Sequence, residues 1–259
     1  MTQAIQKKLN DSAFARWTAL ILVALTMFFG YMFVDVLSPL QNMLESTRGW
    51  SPTIFGLYGG SEFILNVCGF LLVAGIILDK MGVRFTGILS ASLMVLGAGI
   101  KFYGLSNYFY EGGFGYEFLS SFLTDIPASA KLACLGFMVF GCGTEMAGVT
   151  VSRAIVKWFT GKELALAMGL EMAIARLGVF AVFSLSPWVA NWGGDPSVAR
   201  PVAVVGLLLC IGLLTYIAFS VMDFKLDRQT EADTPIGETE EPFKVADLKN
   251  LFSSKTFLI

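Results

Sequence analysis

Six long apolar stretches, residues 16–37, 52–78, 85–105, 131–156, 164–188 and 201–221, alternate with short polar segments along the chain. Each is at least as long as the about 20 apolar residues that a helix needs to cross a bilayer. The pattern predicts an all-α membrane protein, a bundle of six transmembrane helices over residues 16–221, with residues 1–15 as a short leading segment. The first stretch is too long for the apolar part of a cleaved leader, so it is expected to stay in the mature protein. After residue 221 the chain turns acidic and Pro-punctuated ("DFKLDRQTEADTPIGETEEPFKVADLKN"), which predicts a linker over residues 222–253. In "LFSSKTFLI" polarity falls again, and residues 254–259 read as the start of a seventh helix. The sequence is therefore expected to be the first half of a longer chain, with a C-terminal six-helix half still missing.

Composition strengthens the bilayer reading: the chain is 55% hydrophobic and 15% charged, with a mean hydropathy of +0.69. The lipid bilayer is thus the first expected partner, and nucleic acid is not expected. A net charge of -2 says less than where the charges sit. With the N-terminus inside, thirteen Lys and Arg residues fall on the inner side and only Arg48, Lys101, Lys131 and Arg200 on the outer side. Both ends of the sequence are then cytoplasmic. Residues 106–130 form a long aromatic outer loop, suited to a lid or to a segment lying at the headgroups.

Histidine is absent, and Cys68, Cys134, Cys142 and Cys210 lie inside apolar runs without a C-x-x-C pair. They read as packing residues, so neither a metal site nor a cofactor is expected. No G-x-S-x-G or H-E-x-x-H occurs, which disfavours an intramembrane enzyme.

Five ionisable residues fall in or near the spans: Asp35, Glu62, Glu145, Glu171 and Arg176. A charge at a helix centre costs about 2.5 to 3.5 kcal/mol on insertion scales, so each needs a partner or water. Glu145 lies twelve positions before Lys157 and Arg176 twelve after Leu164. On consecutive antiparallel helices both then sit about 18 Å from the inner end, near mid-membrane. Gly141, Glu145, Gly148 and Ser152 share one side of the fourth helix; Gly169, Ala173 and Arg176 share one side of the fifth. Either the two charges neutralise each other, or they grip a zwitterion, Arg176 holding a carboxylate and Glu145 an ammonium. Glu62, with Asn66 one turn on, is a candidate to line the cavity or carry a proton, and Tyr31 and Tyr58 are candidate contacts. Glu171, about 140° around the helix from Arg176, is expected to face elsewhere, and Asp35 to be solvated near the outer surface.

Between the second and third spans, Gly75, Asp79, Lys80, Gly82 and Arg84 match G-x-x-x-D-[RK]-x-G-x-[RK]. Gly82 suits a tight turn, Gly75 a close helix approach, and Asp79 an acid awaiting a base, for which Arg153 is the nearest candidate. The motif resembles the loop signature of the major facilitator superfamily. "GCGTEMAGVTVSRAIVKWFTGKELALAMGLEMAIARLG", above all "WFTGKELALAMGL" and "ARLG", is similar to the branch of lysosomal dipeptide uniporters and their bacterial relatives. A Gly-Pro signature typical of drug antiporters is absent from the fifth span.

The resemblance implies the six-helix N-terminal half of that fold, alternating access, and a latch at the Asp79 bend that breaks in each cycle. It also implies a small-molecule substrate held by an acid and a base at the positions of Glu145 and Arg176. A dipeptide or amino-acid-like zwitterion is the expected cargo; an organic anion held by Arg176, or a receptor that does not transport, is the alternative. A bacterial inner membrane is the expected home, since the one N-x-[ST] site, at Asn10, falls on the cytoplasmic side. No coupling ion or accessory subunit is assigned.

Overall fold

The computed structural model describes residues 8–231 of the chain. The expected seventh helix over residues 254–259, and most of the expected linker, lie outside the described residues.

A 3-10 turn, Leu9–Asp11, leads through the cap residue Ser12 into α1 (Ala13–Val34). At its far end Ser38 Oγ donates to Asp35 Oδ1 (2.9 Å), and a second 3-10 turn, Ser38–Leu40, opens α2 (Gln41–Arg48). Gly49, at φ 70°, stops α2, and Ser51 accepts the Ile54 amide to start α3 (Pro52–Ser61) with Pro52 in the first turn, where its missing N–H is harmless. A π-turn, Asn66–Phe70, joins α3 to α4 (Leu71–Leu105). Two short helices, α5 (Asn107–Tyr110) and α6 (Tyr116–Ser120), occupy the aromatic loop. Three long helices follow: α7 (Ala128–Phe159), α8 (Leu164–Ala190) and α9 (Ala199–Glu231).

Five helical runs are long and apolar enough to cross a membrane, but one of them, Pro52–Leu105, has 54 residues. At about 1.5 Å per residue it would be about 80 Å long, far more than one hydrocarbon core. It breaks at Gly82, at φ 74° and ψ 173°, a combination open essentially to glycine alone. Beyond that break the chain doubles back: the Lys101 ammonium lies 4.9 Å from the centre of the Tyr58 ring, although the two residues stand 19 after and 24 before Gly82. The run is a hairpin of two passes, and the described chain makes the six passes that its apolar pattern predicts.

The passes are held by close backbone contact. A Cβ on Gly97 of α4 would fall 2.4 Å from Phe140 N of α7, and one on Gly136 of α7 would fall 2.6 Å from Lys101 N. One heptad further along α7, a Cβ on Gly143 would fall 2.6 Å from Ser90 O. Small residues at this spacing let the two helices touch along their length, the usual basis of packing where lipid gives no hydrophobic drive. Gly178 of α8 meets Phe28 O of α1 in the same way, and Tyr216 of α9 lies over Gly87 and donates to Val83 O (3.0 Å). Large apolar residues such as Leu72, Leu96, Phe180, Leu207 and Leu214 are exposed, as suits a chain whose solvent is acyl chain.

One boundary departs from the sequence reading. α9 runs on to Glu231, so residues 222–231, expected as linker, are helical. The physical reason is that Asp223 and Asp227, one turn apart, meet Lys157 and Arg84 on neighbouring passes, which rewards continued helix.

Candidate functional site

α7 and α8 run antiparallel and carry Glu145 and Arg176 on their middle turns. Glu145 is half-buried and Arg176 is exposed. Among the described residues neither is in salt-bridge contact, with the other or with any other charge. The Arg176 guanidinium instead lies 5.1 Å from the centre of the Tyr31 ring of α1, within cation-π range. On the same side of α7 as Glu145, a Cβ on Gly148 would meet nothing within 4 Å, and the same holds for Gly169 of α8. Gly141 is different: a Cβ there would fall 2.2 Å from Glu62 O, so this glycine admits the second pass against α7. Glu171 is buried on α8, on a different side from Arg176.

The remaining candidate residues form a second cluster around a residue that sequence reading placed in the wrong environment. Lys101, assigned above to the outer side, is 0% exposed within α4. Its Nζ has no hydrogen-bond partner among the described residues. Three rings surround it instead, Phe33 of α1 at 4.3 Å, Phe137 of α7 at 4.4 Å and Tyr58 of α3 at 4.9 Å. Each ring offers a negative face, worth about 0.5 to 2 kcal/mol to an ammonium, which offsets part of the cost of removing it from water. Tyr58, expected as a cargo contact, is instead a wall of this cage: it stacks on Phe137 at 4.7 Å, and its hydroxyl is buried without a partner. Glu62 is 4% exposed, and its carboxyl and that of Asp35 are the acids that face Lys101. Asn66 donates to Glu62 O (3.3 Å) and Gly141 O (3.4 Å), which ties the π-turn to α7, while its Oδ1 is buried and unpartnered. A signal for Lys101 was present in the sequence: Gly97, Lys101 and Gly104 fall on one helical face, a face of small residues that suits close packing rather than water.

At the opposite end of the hairpin the charged bend is paired. Arg153 Nη1 of α7 donates to Asp79 Oδ1. Arg84 pairs with Asp227 of α9 (3.0 Å), and Lys157 reaches both Asp223 (2.8 Å) and Asp227 (2.6 Å). Asp223 is buried and also accepts from Trp158 Nε1 (2.9 Å). At the same end Arg16 pairs with Glu163 (3.2 Å) and Lys162 with Asp11 (2.8 Å). The Lys162 hydrogen bond, helped by the Lys8 amide, holds the Asp11 carboxyl below its usual range. Lys80 is exposed.

Gly75 does not have the packing role expected of it. A Cβ there would meet nothing within 4 Å among the described residues, because no described helix crosses α4 at that point. The two glycines of the motif should therefore respond differently to substitution. Gly82→Ala is expected to destabilise the full-length protein by about 1 to 3 kcal/mol through its positive φ, and Gly75→Ala to be neutral or slightly stabilising. Thermal unfolding of both variants in detergent checks this; equal melting temperatures would contradict a Gly-only turn at Gly82.

Comparison with known proteins agrees with this architecture. The chain is 31% identical over 132 residues to the lysosomal dipeptide transporter MFSD1 of Bos taurus, covering 48% of this chain and 28% of that protein. It is 33% identical over 130 residues to MFSD1 of Gallus gallus, covering 48% and 29%. With MFSD1 of Pongo abelii it shares 25% identity over 256 residues, covering 94% of this chain and 49% of that protein. The chain thus spans about half the length, or less, of these curated relatives. No solved structure matches it significantly. The Major Facilitator Superfamily profile matches residues 20–259, nearly the whole sequence, and the chain with its six passes belongs to that superfamily.

Proposed function

We propose that the full-length protein carries small zwitterions, dipeptides first among them, across a membrane by alternating access. The observation that carries the proposal is the pair Glu145 and Arg176. They are opposite charges on the middle turns of consecutive antiparallel helices, each without an ion-pair partner among the described residues. Open space lies beside them at Gly148 and Gly169. Charges left unpaired in a membrane bundle mark sites for cargo. Arg176, with Tyr31 behind it, offers a planar fork to the carboxylate of the cargo, and Glu145 accepts its ammonium. Similarity to proteins named lysosomal dipeptide transporters supports the same cargo.

The ion pairs at the Gly82 end then act as an inner latch. Asp79 with Arg153, and Arg84 with Asp227, hold neighbouring passes together and part when that end opens. In this reading the site closes against a second six-helix half, both ends of the sequence are cytoplasmic, and the home is a bacterial inner membrane. One observation favours an organic-anion carrier as the second reading: Arg176 and Tyr31 make an anion site without Glu145.

Proteoliposomes containing the full-length protein decide between the two. Labelled dialanine is expected to show saturable counterflow, competed by free dipeptides but not by N-acetyl-dialanine or by dialanine amide. Competition by the N-acetyl form as strong as by dialanine would favour the anion reading, and absence of counterflow would end the carrier reading.

A further inference from the structure

The aromatic loop does not close down on the spans beneath it. Between the loop, α4 and α7 runs a groove of about 750 Å3, within the range of about 300 to 1,000 Å3 of cavities that take a small ligand. Leu96 and Tyr103 of α4 and Leu132 and Leu135 of α7 line it from the bundle, and Phe114 and Phe118 line it from the loop. At Gly99 of α4 the wall is notched, since a Cβ there would meet nothing within 4 Å. The loop is pinned in place above this space: Tyr103 Oη donates to Phe114 O (3.1 Å), and Lys131 Nζ donates to Leu119 O and Phe122 O. Phe114 and Phe118 are nevertheless 90% and 72% exposed, so little of the described chain covers them. From Leu96 to Tyr103 the groove follows α4 for about 10 Å, which keeps it within one leaflet of a hydrocarbon core about 30 Å thick. At that depth the surrounding medium is acyl chain.

Charges of both signs stand beside the groove. Lys131, next to Leu132 in the first turn of α7, has three N–H donors and gives two of them to loop carbonyls, so one is left among the described residues. Glu117, next to Phe118 in α6, is exposed and has no ion-pair partner among the described residues.

We propose that this groove seats an acyl chain of a phospholipid with a primary-ammonium headgroup, drawn from the leaflet on the side of the aromatic loop. The chain lies between α4, α7 and the two phenylalanines, the phosphate takes the spare donor of Lys131, and the ammonium donates to Glu117. Such a headgroup carries one charge of each sign, so both side chains meet an opposite partner. An anionic headgroup without an ammonium leaves Glu117 beside a like charge, and a choline headgroup has no N–H to give it. Neither Glu145 nor Arg176 lines the groove, so the lipid seat stands apart from the cargo reading.

The test uses full-length protein in mild detergent, stripped of lipid and titrated with dioleoyl phosphatidylethanolamine under native mass spectrometry. Wild type is expected to keep a bound lipid at collision energies that strip the rest, and to melt at a higher temperature once the lipid is added, because a ligand of the folded state stabilises it. Dioleoyl phosphatidylcholine should bind about tenfold more weakly, the loss expected for one charge-assisted hydrogen bond. Leu96→Trp fills the groove from a position that is already 56% exposed, so it should fold and lose the retained lipid by at least about tenfold. Phe118→Ala opens the groove without crowding anything and should also lower retention. Leu177→Trp, on an exposed face of α8 away from the groove, should change nothing. Glu117→Gln should bring the ethanolamine and choline lipids to equal retention. Retention by Leu96→Trp and Phe118→Ala at the wild-type level overturns the seat, and so does free oleate retained as well as the phospholipid. Equal retention of the two phospholipids by wild type overturns the ammonium at Glu117.

Discussion

Arg176→Gln is expected to lower dipeptide uptake by at least about 100-fold while the full-length protein still reaches the membrane. Glutamine keeps most of the length and some hydrogen bonding, but it removes the charge and one arm of the fork. Hydrogen bonds to charged groups contribute about 1.5 to 3 kcal/mol each, and a carboxylate uses two of them here. Arg176 is exposed and makes no ion pair among the described residues, so its loss leaves no buried acid stranded. The fold should therefore survive, which fluorescence-detected size exclusion would show as an unchanged monodisperse peak. Arg176→Lys should fall between the two, since it restores a point charge on Tyr31 without the planar fork. Uptake at wild-type level by Arg176→Gln would remove this residue from the site.

Gly136→Val is the substitution expected to do the most damage to the bundle itself. Its Cβ would fall 2.6 Å from Lys101 N and 2.7 Å from Gly97 O, both main-chain atoms of a neighbouring helix that cannot swing aside as a side chain does. Overpacking of flexible surroundings costs about 1 to 3 kcal/mol. Here two whole helices have to move apart, so the cost exceeds that range and loss of monodisperse protein is expected. Separation would also draw Lys101 away from the Phe137 ring, which belongs to the helix being pushed off. Gly148→Ala on the same helix meets nothing and should express normally. Equal expression of the two variants would show that α4 and α7 are not in backbone contact.

The six passes and the turn at Gly82 were legible because lipid imposes a simple rule on sequence: about 20 apolar residues per crossing, and glycine where the backbone takes a positive φ. The pairing of Asp79 with Arg153 was within reach because the third and fourth spans run antiparallel, which brings the end of the fourth back beside the bend. Lys101 was not. Along the chain it looks like an anchor near a helix end, and only the small-residue face that it shares with Gly97 and Gly104 sets it apart from Lys131, which stands in the first turn of α7 and donates to Leu119 O and Phe122 O. What distinguishes Lys101 is a cage assembled from Phe33, Tyr58 and Phe137, residues on three different passes. The same limit explains Gly75, whose neighbours no one-dimensional pattern supplies, and the length of α9, whose last turns depend on Lys157 and Arg84.

The π-turn in the second pass gives the bundle a pivot. Between Ser61 and Leu71 the regular helical ladder is interrupted, and Gly69 sits at φ 106°, so α3 is a separate short rod. Tilting that rod breaks few main-chain hydrogen bonds, and at its base it carries Glu62 and Tyr58 with it. A swing of a few degrees would lift one ring from the ammonium and turn the acid toward or away from α7. The aromatic cage around Lys101 and the seat of Glu62 against Gly141 of α7 are then both set by the angle of one short rod.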